Sequence, residues 1–157
     1  MICYCDAAYA GEKIERKSTN GSCHLIGGNL VTWFNKRQGL IALSTVEFEY
    51  ISIASCCTQL IWIKNQLEDY DIYEENIPIH CDNKVVLSIS KNPTLHSRGK
   101  HIEIRHKFLR DRVQKGTLEL QFVPTNGQLA NIFRKPLTKE RFILLRDQLG
   151  MGLVKDD

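Results

Sequence analysis

Apolar positions open the chain at Ile2, Cys3, Tyr4 and Cys5, a short run with strand character that Asp6 ends. Residues 11–20 are polar and charged and read as a turn or loop. Two runs rich in β-branched and aromatic side chains follow at 23–26 and 30–34. Gly27-Gly28-Asn29 separates them, which predicts a β-hairpin. The period then lengthens. Val46, Tyr50, Ile53, Cys57, Leu60, Ile61 and Leu67 recur every three or four residues and predict a helix with one buried stripe. Ser44, with Glu47 three residues on, forms a capping-box pattern at its start, and an acidic turn over 68–76 ends it.

Ile77–Cys81 reads as a short strand, and Asp82-Asn83 can cap a helix reaching about Lys91. Pro93 breaks the chain. A basic segment over 101–115 predicts a second amphipathic helix closed by Gly116, and 118–123 alternates like a strand up to Pro124. Short helices near 127–134 and 139–149 complete the order β-β-β-α-β-α-α-β-α-α. Three hairpin-joined strands followed by strand–helix alternation predict an α/β fold, a mixed sheet covered by helices.

A length of 157 residues suits one domain that buries about two-thirds of its unfolded surface, without need of disulfides or a structural metal. At 43% hydrophobic and 25% charged, the composition excludes collagen-like, disordered and low-complexity chains. No apolar run approaches the roughly 18 residues of a membrane-spanning helix, and no signal-peptide core follows the N-terminus, so no membrane partner is expected. Several of the six cysteines (3, 5, 23, 56, 57 and 81) fall in apolar runs, which predicts reduced thiols and an intracellular, cytoplasmic setting. A zinc module is disfavoured. No Cys-x-x-Cys occurs, and Cys23-His24, Cys56-Cys57 and His80-Cys81 are adjacent pairs that ligate together with difficulty.

Charge changes the picture through its distribution. From Lys84 to Lys115, nine Lys or Arg stand against Glu103 and Asp111, a net +7, while the remaining 125 residues carry −4. Such a segment is a solvated helix face or a phosphate-contacting surface, and the weakly acidic remainder favours the second.

Acids fall at two telling places. Asp6 and Asp82 directly follow apolar strands, and Glu47 and Glu49 lie in the first turns of the long helix. Carboxylates at the C-terminal ends of neighbouring strands are the usual position of a site in an α/β sheet. A cluster of them repels itself unless divalent cations neutralise it, and two hard cations clamp in-line attack at phosphorus. Asp6 and Asp82 also suit turns and caps, and periodicity leaves Glu47 and Glu49 equally able to reach the site.

At these residues the chain resembles the ribonuclease H domain of copia-type LTR retrotransposon Pol polyproteins. The stretches are Tyr4-Cys5-Asp6-Ala7-Ala8-Tyr9-Ala10-Gly11, Arg16-Lys17-Ser18-Thr19-Asn20-Gly21 and Ala42-Leu43-Ser44-Thr45-Val46-Glu47-Phe48-Glu49-Tyr50. Further on come Leu60-Ile61-Trp62-Ile63, Cys81-Asp82-Asn83, Lys100-His101-Ile102-Glu103-Ile104-Arg105, Phe122-Val123-Pro124-Thr125 and the ten residues from Gln128 to Leu137. They run in family order from about residue 3 to residue 151, giving one domain over 1–151 and a short tail, 152–157.

The resemblance implies a ribonuclease H-like fold, a five-stranded mixed sheet whose first three strands are antiparallel, flanked by helices. It also implies hydrolysis of the RNA strand of RNA·DNA hybrids with two Mg²⁺ ions, for which Mn²⁺ can substitute. In that family a carboxylate tetrad holds the metals. Asp6 matches its first member and Asp82 its third. The Glu directly before Tyr in Glu-x-Glu-Tyr is the second, which selects Glu49 over Glu47. The fourth falls on Asn131, where the family pattern has Leu-Ala-Asp. Ala8 likewise stands where an acid outside the tetrad is usual. An amide oxygen can ligate Mg²⁺ but brings no negative charge, so impaired activity is expected. The alternative is a catalytically inactive hybrid-binding or structural remnant. Asn131→Asp is expected to restore the charge without disturbing packing.

Ser44 and Thr45 at the helix start, with Arg98, Lys100, Arg105, Lys107 and Arg110, are the expected contacts to the hybrid backbone, read by shape rather than sequence. The chain begins near the first strand and is expected to be a stand-alone, monomeric copy without the reverse transcriptase domain that neighbours it in the parent polyprotein. In the parent element its setting would be a virus-like particle or the nucleus.

Overall fold

The structure, a computed structural model, describes residues 1–8, 19–37, 45–91 and 100–152. Its strands are β1 (Ile2–Ala8), β2 (Thr19–Ile26), β3 (Asn29–Arg37), β4 (Ile77–Cys81) and β5 (Leu118–Phe122). Its helices are α1 (Thr45–Glu68), α2 (Lys84–Lys91), α3 (Lys100–Gln114) and α4 (Lys139–Gln148), with 3-10 turns at Thr125–Gly127 and Leu129–Phe133. The sheet order is β3-β2-β1-β4-β5. β1, β2 and β3 pair antiparallel, and β4 joins β1 and β5 in parallel. This is the five-stranded mixed sheet expected from the sequence.

The β2–β3 hairpin turns on Gly27 and Gly28, whose φ of 58° and 81° suit a two-residue turn that twists with its strands. Alternation along β1 sends Cys3 and Cys5 to one face and Tyr4 and Asp6 to the other. On the first face they pack with Ile77, Ile79, Cys81, Leu118 and Leu120 beneath Tyr50, Ile53, Cys56, Cys57 and Leu60 of α1, closed by Val86 and Leu109. The opposite face is a smaller core, with Cys23 and Leu25 of β2 against Leu129, Ala130, Leu145 and Leu149. All six cysteines are free and buried. Among the described residues no helix is long and apolar enough to cross a membrane.

Four expectations shift. β1 continues through Asp6 to Ala8, so Asp6 sits within the ladder, opposite Gly21, and not past its end. The hairpin strands extend to Thr19 and Arg37, because cross-strand pairing carries polar residues that hydrophobicity alone assigns to loop. α1 is buried well beyond one stripe. Tyr50, Ile51, Ser52, Ile53 and Ala54 are consecutive and all buried, since the helix lies between the sheet and α2 and α3. The helix expected near 127–134 is instead a pair of 3-10 turns. Ser44 and Arg98 lie outside the described residues.

Candidate active site

The site forms where β1 and β4 part. Their ladder pairs Cys3 with Ile79 and Tyr4 with His80. At its end the buried Gln128 side chain bridges the strands, its Nε2 donating to the carbonyls of Cys5 (2.9 Å) and His80 (3.4 Å). Gln128 Oε1 accepts from the Ala130 N–H (3.3 Å), so the same amide starts the second 3-10 turn. Asp6 follows Cys5, and Asp82 lies two residues beyond His80.

Each acid has its own setting. Asp6 is 3% exposed and accepts from Arg134, Nε to Oδ2 at 2.6 Å, and the Arg134 side chain is itself only 13% exposed. Burial pushes the Asp6 pKa up, Arg134 draws it back, and the Asp82 charge raises it again. Glu49 is half-buried; burial raises its pKa, a hydrogen bond from Asn83 lowers it, and Asp82 and Asp6 raise it further. Asn83 serves twice, because its Oδ1 also accepts from the Val85 N–H (2.8 Å) and caps α2. The three carboxylates Asp6, Glu49 and Asp82 therefore act on one another electrostatically.

Asn131 enters from the 3-10 turn, 1% exposed. Its Nδ2 donates to the Thr125 carbonyl (2.9 Å), while the Thr125 hydroxyl donates to Asp82 (3.3 Å). Asn131 Oδ1 is buried with no hydrogen-bond partner. The exchange for Asp is therefore not neutral, contrary to the expectation from size. A carboxylate has no N–H for Thr125 and would set oxygen against oxygen.

The donors suit a hard divalent cation in kind: three carboxylates and an unsatisfied amide oxygen. Their arrangement is not yet a cage. Among the described residues no three His, Cys, Asp or Glu side chains are gathered closely enough to hold a metal ion.

The predicted backbone contacts whose side chains are described do not share one face of α3. Thr45 is the first residue of α1 and Lys100 the first of α3. Arg105 and Arg110 fall about 140° apart around α3. Arg105 lines a groove with Ala54, Ser55, Thr58, Ile104 and Phe108. Arg110 is close enough to Tyr50 and His106 to act on both, and those two rings stack at 4.6 Å. Lys107 is exposed.

Gln128, Thr125 and Arg134 fall in stretches that carry the resemblance, but the sequence gives them no role of their own. The 3-10 turn, which the sequence does not announce, sets Arg134 three residues after Asn131 and so on the same side.

Solved structures that share this architecture include ribonucleases H. The N-terminal ribonuclease H domain of a Mycobacterium tuberculosis protein superposes with a TM-score of 0.60 at 8% identity, over 93% of this chain and 95% of that one. LC11 ribonuclease H1, solved with an RNA/DNA hybrid, gives 0.57 at 9% identity, over 81% and 87%. The fold is that of ribonuclease H.

No protein-family model matches the chain. Over 148 residues it is 32% identical to the retrovirus-related Pol polyprotein of transposon TNT 1-94 from Nicotiana tabacum, 94% of this chain and 11% of that protein. Over 152 residues it is 36% identical to that of transposon RE1 from Arabidopsis thaliana, 96% and 10% respectively. The chain thus spans about a tenth of these relatives. Its homologues are copia-type Pol polyproteins of plant transposons. Fold and homologues together support a ribonuclease H domain.

Proposed function

We propose that the chain is a divalent-metal-dependent ribonuclease that hydrolyses the RNA strand of RNA·DNA hybrids, attenuated by Asn131. The observation that carries this reading is the position of Asp6 and Asp82 beside the parting of β1 and β4, with Thr125 bonded to both Asp82 and Asn131, within a ribonuclease H fold. Asp6, Glu49, Asp82 and the free Oδ1 of Asn131 are the groups that would hold Mg²⁺, or Mn²⁺ in its place. Such ions supply charge neutralisation and Lewis-acid polarisation at phosphorus. The chain's own groups do the positioning. Gln128 fixes the spacing of the strand ends, Asn83 steadies Glu49, and Thr125 links Asp82 to Asn131.

Lys107 and Arg110, three residues apart on one side of α3, are the proposed contacts to the hybrid backbone, and Arg105 lies on another side of that helix. The parent polyprotein would supply a reverse transcriptase beside it.

Incubating the purified chain with a labelled RNA·DNA hybrid tests the reading. Cleavage of RNA only, in Mg²⁺ or Mn²⁺ and not in chelator, is the expected result; cleavage that persists in chelator refutes it. A hybrid-binding domain without cleavage is the second reading, favoured by the Asp6–Arg134 ion pair. It predicts hybrid binding with no product at any Mn²⁺ concentration.

A further inference from the structure

Arg134 places a cation of the chain's own against Asp6, beside the parting of β1 and β4. Its Nε lies 2.6 Å from Asp6 Oδ2, and both side chains are nearly withdrawn from water. The backbone is built to admit it. Asp6 pairs across the ladder with Gly21, and a Cβ there would meet Arg134 Cβ and the Ala130 carbonyl oxygen, each at 3.3 Å. A side chain on β2 at that position would push the 3-10 turn, and Arg134 with it, away from Asp6.

We propose that Arg134 is the resident counter-cation of this site, which a divalent ion must displace from Asp6, and that Arg134 and Asn131 together set the site's metal affinity. The inference rests on the assignment of Asp6, Glu49, Asp82 and Asn131 to one ion-binding site. A hard cation binds by direct contact with carboxylate oxygen. It cannot share Asp6 Oδ2 at close range with a guanidinium, because like charges repel strongly in a partly dehydrated site. Asn131 withholds one negative charge and Arg134 adds a positive one, so the site is two charges less negative than four carboxylates alone. In the metal-free protein the buried Asp6 is therefore satisfied by the protein itself.

The test measures Mn²⁺ binding by the resonance signal of the free ion, and thermal midpoints in chelator, both without nucleic acid. The full chain is compared with Arg134→Met, Arg134→Gln and Lys135→Met. Arg134→Gln retains a hydrogen-bond donor for Asp6 without the charge, and it stands in if Arg134→Met fails to fold. Both Arg134 variants should bind Mn²⁺ at least about tenfold more tightly than the wild type. Both should melt lower than the wild type in chelator and recover with Mn²⁺. Lys135, which acts on Asp6 only through space, should matter less. Equal Mn²⁺ affinity in the wild type and the Arg134 variants, abolished by Asp6→Asn, overturns the role of Arg134 and leaves the site assignment standing. No binding in any variant, including Arg134→Gln combined with Asn131→Asp, overturns both.

Discussion

A carboxylate is useful here only if its neighbours permit it to stay charged, and the acids differ in this respect. Asp6 and Asp82 border the splayed strands, and Glu49 is the helix glutamate whose pKa both of them raise. Asp6→Asn or Asp82→Asn should abolish hybrid cleavage, and Glu49→Gln should reduce it far more than Glu47→Gln; a cleavage assay in Mn²⁺ ranks them. Asn131→Asp should have two opposed effects. It adds charge and so lowers the Mn²⁺ needed for half-maximal cleavage. It also breaks the bond to Thr125, which should cost about 1–3 kcal/mol of stability in chelator, read by urea unfolding. Asp6 and Asp82 were legible as acids directly following apolar runs, although Asp6 lies inside β1, and Asn131 through its match to a family motif. Gln128 and Arg134 were not, because their partners lie 123 and 128 residues away in the chain.

At the scale of elements, local pattern served best where one residue decides the conformation. Gly27-Gly28 marked the hairpin, Asn83 the cap of α2, and Gly116, with φ of 70°, the end of α3. It served worst where a distant contact decides. α1 shows helical periodicity, but only packing from both sides explains why five consecutive residues are buried. The stretch around Leu129–Phe133 is apolar enough for a helix, yet it closes as a 3-10 turn around the Gln128 side chain. That side chain joins β1, β4 and the turn, so its loss should reach all three. Gln128→Leu should leave the Cys5 carbonyl bare and destabilise the fold by about 1–3 kcal/mol. Hybrid cleavage should fall more than stability predicts, because Asp6 and Asp82 lose their common brace. Urea unfolding and cleavage measured on one preparation separate the two effects.

The molecule as a whole responds to pH through groups that burial has made reluctant to change charge. His24 is fully buried, and desolvation holds its pKa below the ordinary 6.5, with hydrogen bonds to the Cys56 and Thr32 backbone partly opposing this. The unfolded chain therefore takes up this proton at a higher pH than the folded one. Stability contributed by the neutral ring is complete above 6.5 and is lost as pH falls through that value towards the lowered one. Urea midpoints should drop between pH 7.5 and 6, and His24→Gln should show a shallower drop. The same burial makes the six thiols chemically silent. Cys23, Cys57 and Cys81 have pKa values pushed up to about 12 by burial, so on the order of one molecule in ten thousand carries a given thiolate at pH 8. Alkylation must therefore wait for the chain to open, and the adducts become a count of openings. β1, β2, α1 and β4 each carry at least one of these thiols. If both cores open together, mass spectra during slow alkylation should contain molecules with no adducts and molecules with six, and few between. A population labelled at Cys23 alone would instead mark the smaller core as the first to open.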